Sequence, residues 1–134
     1  MSFETMQLPE EPTIVAPDGS DVRVLLRRPG GSMAHFQLAA GRASTAVAHR
    51  TVEEIWFFLE GRGQMWRKLG EEEATVPVEA GTCISIPVGT SFQFRASEEG
   101  SLSAVGVTMP PWPGMDEADI VEGIWPAHDT LAGS

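Results

Sequence analysis

The chain has few basic residues, a single cysteine, three histidines, no tyrosine and no long apolar run. Each shortage removes a class of protein. Nine Lys and Arg stand against nineteen Asp and Glu in 134 residues, a formal net charge of −10 at pH 7. That excludes a nucleic-acid footprint, which needs a basic patch to neutralise phosphates. It also argues against docking on an anionic membrane. One cysteine cannot close an intrachain disulfide, so a disulfide-stapled scaffold is excluded. The longest apolar run, Ile55 to Leu59, falls far short of the roughly 20 residues of a membrane-spanning helix. The opening MSFETMQLPEEP lacks the basic region and apolar core of a secretory signal. These features predict a soluble, cytoplasmic protein whose partner is a small molecule or a second copy of itself.

What is abundant is punctuation, with 14 Gly and 10 Pro. Turn signals fall at APDGS (16–20), RPGGS (28–32), AAGR (39–42), GRG (61–63), EAG (79–81), PVGTS (87–91) and SEEGS (97–101). This is the rhythm of short antiparallel strands in a sandwich or barrel. Between the turns, hydrophobicity alternates. Val22, Val24 and Leu26 oppose Arg23, Leu25 and Arg27; Met33, His35 and Gln37 oppose Ala34, Phe36 and Leu38. Alternation of this kind marks strands with one buried face. No segment couples capping signals to a helical period, so at most one helical turn is expected, near Met115–Ala118. The expected organisation is an arm at 1–20, an all-β antiparallel barrel of nine or ten strands at 21–109, and an extended strap at 110–134.

The segment EEIWFFLEG is apolar on nearly every position. Glu54, Trp56 and Phe58 share one face; Ile55, Phe57 and Leu59 share the other. Such a strand is expected to be covered on both sides. The second cover would come from another subunit, giving a homodimer, or from a returning terminal segment. The strap carries Trp112 and Trp125 on a Pro-rich, acidic backbone, together with His128. Large aromatics in such a setting lie against something, either the outer sheet or the mouth of the barrel.

Two spacings carry a more specific signal. In the first, Gly41 is followed after five residues by Val47, Ala48 and His49, then Glu54, then Gly61. In the second, Gly81 is followed after five residues by Pro87, Val88 and Gly89, then Phe92 and Ala96. These resemble the two motifs of the cupin superfamily, G-x5-H-x-H-x3,4-E-x6-G and G-x5-P-x-G-x2-H-x3-N. The turn-forming Gly and Pro are kept. Val47, Phe92 and Ala96 stand where the family has histidine, histidine and asparagine. The resemblance implies an antiparallel jelly-roll barrel. In the family, three histidines and a glutamate hold a divalent metal, and this chain supplies only His49 and Glu54 at those positions. Neither Val nor Phe offers a lone pair.

Two readings of the lumen follow. In the first, a metal-free pocket lined by Val47, Trp56, Phe58, Phe92 and Phe94 holds a small, partly apolar organic molecule. His49 is then its polar anchor or base and Glu54 the orienting carboxylate. In the second, a divalent metal sits on His49 and Glu54, with His35, beside Gln37 on its strand face, as a third ligand. The family's metal-dependent dioxygenases, isomerases, lyases and cyclases belong to this second reading. His35 has an alternative as a partly buried histidine bonded to the backbone. Cys83 is expected to be a small buried hydrophobe, and Arg50 to point away from the lumen.

Overall fold

The computed structural model describes residues 3–127. Eleven strands run in chain order: β1 (Ile14–Val15), β2 (Asp21–Arg28), β3 (Gly31–Leu38), β4 (Val47–His49), β5 (Glu53–Glu60), β6 (Arg62–Leu69), β7 (Glu72–Glu79), β8 (Cys83–Ile86), β9 (Ser91–Ala96), β10 (Leu102–Met109) and β11 (Ala118–Ile120). A 3-10 turn at Met115–Glu117 is the one helical element among the described residues, where the sequence allowed one. The strands form two sheets, β1-β2-β3-β10-β5-β8 and β11-β4-β9-β6-β7. Every pairing is antiparallel. This is the antiparallel barrel expected from the turn rhythm, in the jelly-roll form that the resemblance implies. The count exceeds nine or ten because β1 and β11 are edge pieces of two and three residues, too short to show alternation.

The core lies between the sheets, built from Trp56, Phe58, Met65, Phe92, Phe94, Ile84, Ile86 and Leu102. On β5 the alternation is realised sharply. Glu54, Trp56 and Phe58 are at most 3% exposed, whereas Ile55, Phe57 and Leu59 are 44–48% exposed. Of the two covers expected for this outer stripe, the returning C-terminal segment goes elsewhere over its described residues, to 127. The tail instead wraps the other sheet, where Val121 N–H donates to Ala46 O. Gln93, fully buried on the outer side of β9, accepts from Ile124 N–H and Trp125 N–H and donates to Ser44 O and Trp125 O. Arg95 lies over the Trp125 ring at 4.5 Å. Trp125 thus packs on an outer sheet, and His128 lies outside the described residues.

Cys83 corrects an expectation. It is exposed, because the inward set on β8 is Ile84 and Ile86. Alternation was read correctly there and only the choice of face was wrong.

Candidate functional site

The two halves of the first motif arrive from different sheets. His49 ends β4 in one sheet, and Glu54 is the second residue of β5 in the other. The turn between them, residues 50–52, is held by the tail. Glu117 accepts from Thr51 N–H (2.5 Å), Thr51 Oγ1 (2.7 Å) and Val52 N–H (2.8 Å). Burial pulls the Glu117 carboxyl upward, but these bonds outweigh it and hold it below the usual glutamate range. From the second motif, Gly89 adopts φ +82°, a left-handed conformation glycine tolerates. Its N–H donates to His49 O at 3.2 Å. The skeleton of both motifs therefore positions one imidazole.

His49 Nδ1 sits 2.6 Å from Glu54 Oε2, with both side chains buried. The contact is an ion-pair distance lying off the axis of a well-formed N–H···O bond. Glu54 Oε1 accepts from Trp56 Nε1 at 2.5 Å. The Trp56 ring is stacked on Phe36, centroids 4.5 Å apart and 11° from parallel. Gly106 on β10 makes that stack possible, because a Cβ there would come within 2.8 Å of both rings. His49 also meets Phe92 and Trp112 edge-on, at 5.2 and 5.0 Å.

These groups line a cavity of about 130 Å³. Val47, His49, Glu54, Trp56 and Phe92 face it as expected. Phe58 and Phe94 do not. They lie behind Trp56 in the closed core, with ring centroids 6.0 and 5.1 Å from it. His35 and Gln37 are a further correction. The inward face of β3 carries Ser32, Ala34 and Phe36, so His35 and Gln37 lie on the opposite side. There Gln37 accepts from Arg23 at 3.0 Å, and His35 pairs across to Val105 and Arg23. Burial, and then the neighbouring Arg23, push the His35 imidazole pKa down. It cannot serve as a third ligand in the lumen.

Three contributors escaped the sequence reading, Arg27, Ser32 and Asp18, while for Trp112 the mouth was one of the two places expected. Trp112 takes the mouth. Its N–H donates to Ser32 Oγ (2.9 Å), which meets Thr108 Oγ1 at 2.6 Å. Arg27 reaches the same rim because the β2–β3 register slips between Val24 and Arg27. That bulge shifts parity by one residue and turns Arg27 inward opposite Ser32. Arg27 donates to Trp112 O at 3.5 Å. Ser32, on the inward face of β3, joins the rim through the Trp112 and Thr108 contacts. Asp18, read as part of a turn signal, is buried and faces the cavity. Its Oδ1 accepts from Ser20 N–H (2.9 Å) and Ser20 Oγ (2.6 Å). Burial pushes its carboxyl above the usual aspartate range. The Ser20 bonds and His49 oppose that rise, and Glu54 adds to it.

The donor set does not fit the metal that the motif spacing implies. His49 and Glu54 are engaged with each other, and Val47 and Phe92 occupy the other two positions. No group of three or more His, Cys, Asp or Glu with metal-holding geometry exists among the described residues. Chemically, the arrangement is an apolar aromatic cavity with an imidazole–carboxylate pair on one wall and a second carboxyl on another.

A two-sheet barrel with a mouth-facing imidazole–carboxylate pair defines a class, and comparison with known proteins places the chain within it. No family model matches the sequence. Acireductone dioxygenase 1 of Nocardia farcinica is 31% identical over 98 residues, covering 71% of this chain and 52% of the relative. Acireductone dioxygenase 2 of the same organism is 33% identical over 95 residues, covering 69% and 50%. The chain thus spans about half the length of these curated relatives. Among solved structures, Pac13 of Streptomyces, described as a nucleoside dehydratase, superposes with a TM-score of 0.67 at 17% identity, covering 91% of this chain and 95% of that one. Variants of it were solved with uridine. A predicted oxalate decarboxylase of Thermotoga maritima gives 0.64 at 18% identity, covering 78% and 99%. The chain belongs to the cupin superfamily.

Proposed function

We propose that this cupin binds a small, partly apolar organic molecule in the barrel lumen, with His49 as polar anchor and proton acceptor and Glu54 as its orienting carboxylate. The observation that carries this reading is the 2.6 Å Nδ1–Oε2 contact at the wall of a cavity otherwise built of aromatic and aliphatic side chains. Small-molecule sites combine such walls with few polar groups. Glu54 engages Nδ1, so Nε2 is the ring nitrogen left for a ligand. Aromatic walls favour a planar ligand body. The uridine bound to Pac13 makes uridine a reasonable first probe.

The test is titration of uridine and of 2-hydroxyacetophenone, followed by the fluorescence of Trp56 and Trp112, which both line the cavity. Wild-type protein is expected to bind at least one probe saturably. His49→Ala is expected to weaken that binding by about tenfold or more, since a hydrogen bond to a charged group contributes about 1.5–3 kcal/mol. Its melting temperature is also expected to fall, because Glu54 Oε2 is left unpaired in the interior, so affinity is the deciding readout. A large fall in melting temperature with unchanged affinity would assign the pair a structural role instead.

A metal-dependent enzyme is the second reading, favoured by the names of the curated relatives. The residues present argue against it, and titration calorimetry with zinc, nickel, manganese and iron(II) tests it. Wild-type protein is expected to take up less than about a tenth of an equivalent, because two ligands leave most of the coordination shell to water. Phe92→His adds a third donor beside His49 and is expected to create measurable affinity. Stoichiometric uptake by the wild type would reinstate the metal reading.

A further inference from the structure

We infer that Asp18 is the proton donor of a two-sided acid–base site, in which His49 takes a proton from carbon and Asp18 gives one to oxygen, so that the lumen interconverts keto and enol forms of a small carbonyl compound. This rests on the lumen being a ligand site.

Asp18 lies in the turn between β1 and β2, far in sequence from both motifs, yet lines the same cavity as His49 and Glu54. It is 4% exposed. Both hydrogen bonds from Ser20 end on Oδ1. Oδ2 takes neither of these bonds and is the oxygen left to meet a ligand. The turn is tied in place by Thr45 N–H, which donates to Asp18 O at 2.7 Å. A purely structural turn aspartate would be expected at the surface, where its charge is solvated. Here the carboxyl is enclosed, with Glu54 and His49 as the charged neighbours that influence it. Enclosure favours the protonated form, and a carboxylic acid kept neutral can donate.

The division of labour follows from these placements. On one wall, Glu54 engages His49 Nδ1 and leaves Nε2 open. On another, Asp18 presents a hydroxyl. A carbonyl compound between them loses the proton on the carbon next to its carbonyl to His49 Nε2. The C–H electron pair becomes the C=C bond, and the carbonyl π pair moves to oxygen. That oxygen takes the Asp18 proton, giving the enol, an imidazolium and a carboxylate. Reversal restores all three groups, so no oxidant or further reactant is needed. The chain contains no tyrosine, so this role cannot fall to a phenol.

The probe is 2-hydroxyacetophenone, a planar apolar ring bearing an enolisable CH2 beside its carbonyl. In D2O, proton NMR follows loss of the CH2 signal. Wild-type protein is expected to accelerate this wash-out over buffer. Asp18→Asn keeps an Oδ1 acceptor for Ser20 but has no acidic proton. It is expected to bind the probe within about twofold of wild type, while its exchange rate falls by about a hundredfold or more. Its melting temperature at neutral pH is expected to be no lower than wild type, since an amide has no charge to desolvate. Binding with no acceleration by wild type, or equal acceleration by Asp18→Asn, overturns the role of Asp18 and leaves the lumen site standing. If wild type binds uridine but not 2-hydroxyacetophenone, this inference alone is overturned; if it binds neither probe, the lumen reading falls and this inference with it. If Asp18→Asn does not fold, the wild-type pH profile decides. With Glu54 and His49 as the other titratable groups facing Asp18, the protein-dependent rate must fall at high pH as Asp18 loses its proton. A rate that only rises overturns the inference.

Discussion

Trp56→Ala is expected to lower stability by about 3–5 kcal/mol, equivalent to a fall of roughly 10–20 °C in melting temperature for a chain of this size. Trp56 is 1% exposed and sits at the centre of the aromatic cluster. It stacks on Phe36 and meets Phe58, Phe92 and Phe94 at 5.1–6.0 Å. Truncation to alanine opens a cavity between two sheets whose backbone hydrogen bonds prevent collapse. A second loss comes with it. Glu54 Oε1 is satisfied by the indole N–H, and its other oxygen faces His49. Removing the indole leaves a buried carboxylate oxygen unpaired, which makes up about 1–3 kcal/mol of that total when not relieved by water. Trp56→Phe separates the two terms. It keeps the larger part of the stacking area and loses the donor with the remaining ring volume, so its cost is expected to be about half or less of that for alanine. Urea denaturation of both variants measures the difference. A cost below about 1 kcal/mol for alanine would mean that the cluster is not packed as described.

Glu117→Ala is expected to cost about 3 kcal/mol, although the residue lies in the Pro-rich tail and far from the barrel in sequence. Its carboxylate satisfies Thr51 N–H, Thr51 Oγ1 and Val52 N–H at once. Hydrogen bonds to a charged acceptor contribute about 1.5–3 kcal/mol each, but three on one group are not additive. Val52 is buried, so its amide would be left without a partner when the carboxylate is gone. The same turn carries His49 into Glu54, so Glu117→Ala is also expected to weaken ligand binding. The pH dependence has a definite sign. The folded-state pKa of Glu117 is depressed, so its contribution is complete above the ordinary glutamate range. It is lost as pH falls through the lowered value. Wild type and Glu117→Ala should therefore differ most near neutral pH and converge in acid. Thermal melts from neutral pH downward read this directly, and a gap that widens in acid would contradict it.

Both predictions concern contacts joining segments far apart in sequence, and that is where the sequence was least legible. Glycine and proline at fixed intervals could be read because turn geometry is a local property. Gly41, Gly61, Gly81 and Gly89 all adopt positive φ, as the motif spacing requires. Alternation could be read for the same reason, since it is a property of the pleat. On β3 and β8 the more apolar faces, Ala34, Phe36 and Leu38 and then Ile84 and Ile86, are the ones that turn inward. His35 was favoured for the lumen only by its chemistry as a third ligand, and Cys83 for the interior only by the general tendency of free cysteine to be buried. Phe58 and Phe94 face inward as read, but the interior is deeper than one layer, and Trp56 seals them from the cavity.

The sequence by itself determined the barrel, its turns and the pairing of His49 with Glu54, because each is encoded by short-range spacing and by one residue's conformational freedom. Tertiary structure alone decided the rest of the site. A single bulge in β2 reversed the parity of Arg27, a close fold of the chain buried Asp18, and a tail docked by Glu117 brought Trp112 over the mouth. None of these has a local signature. A bulge needs only one extra unpaired residue, and the desolvation of a carboxyl depends on which distant segments close around it.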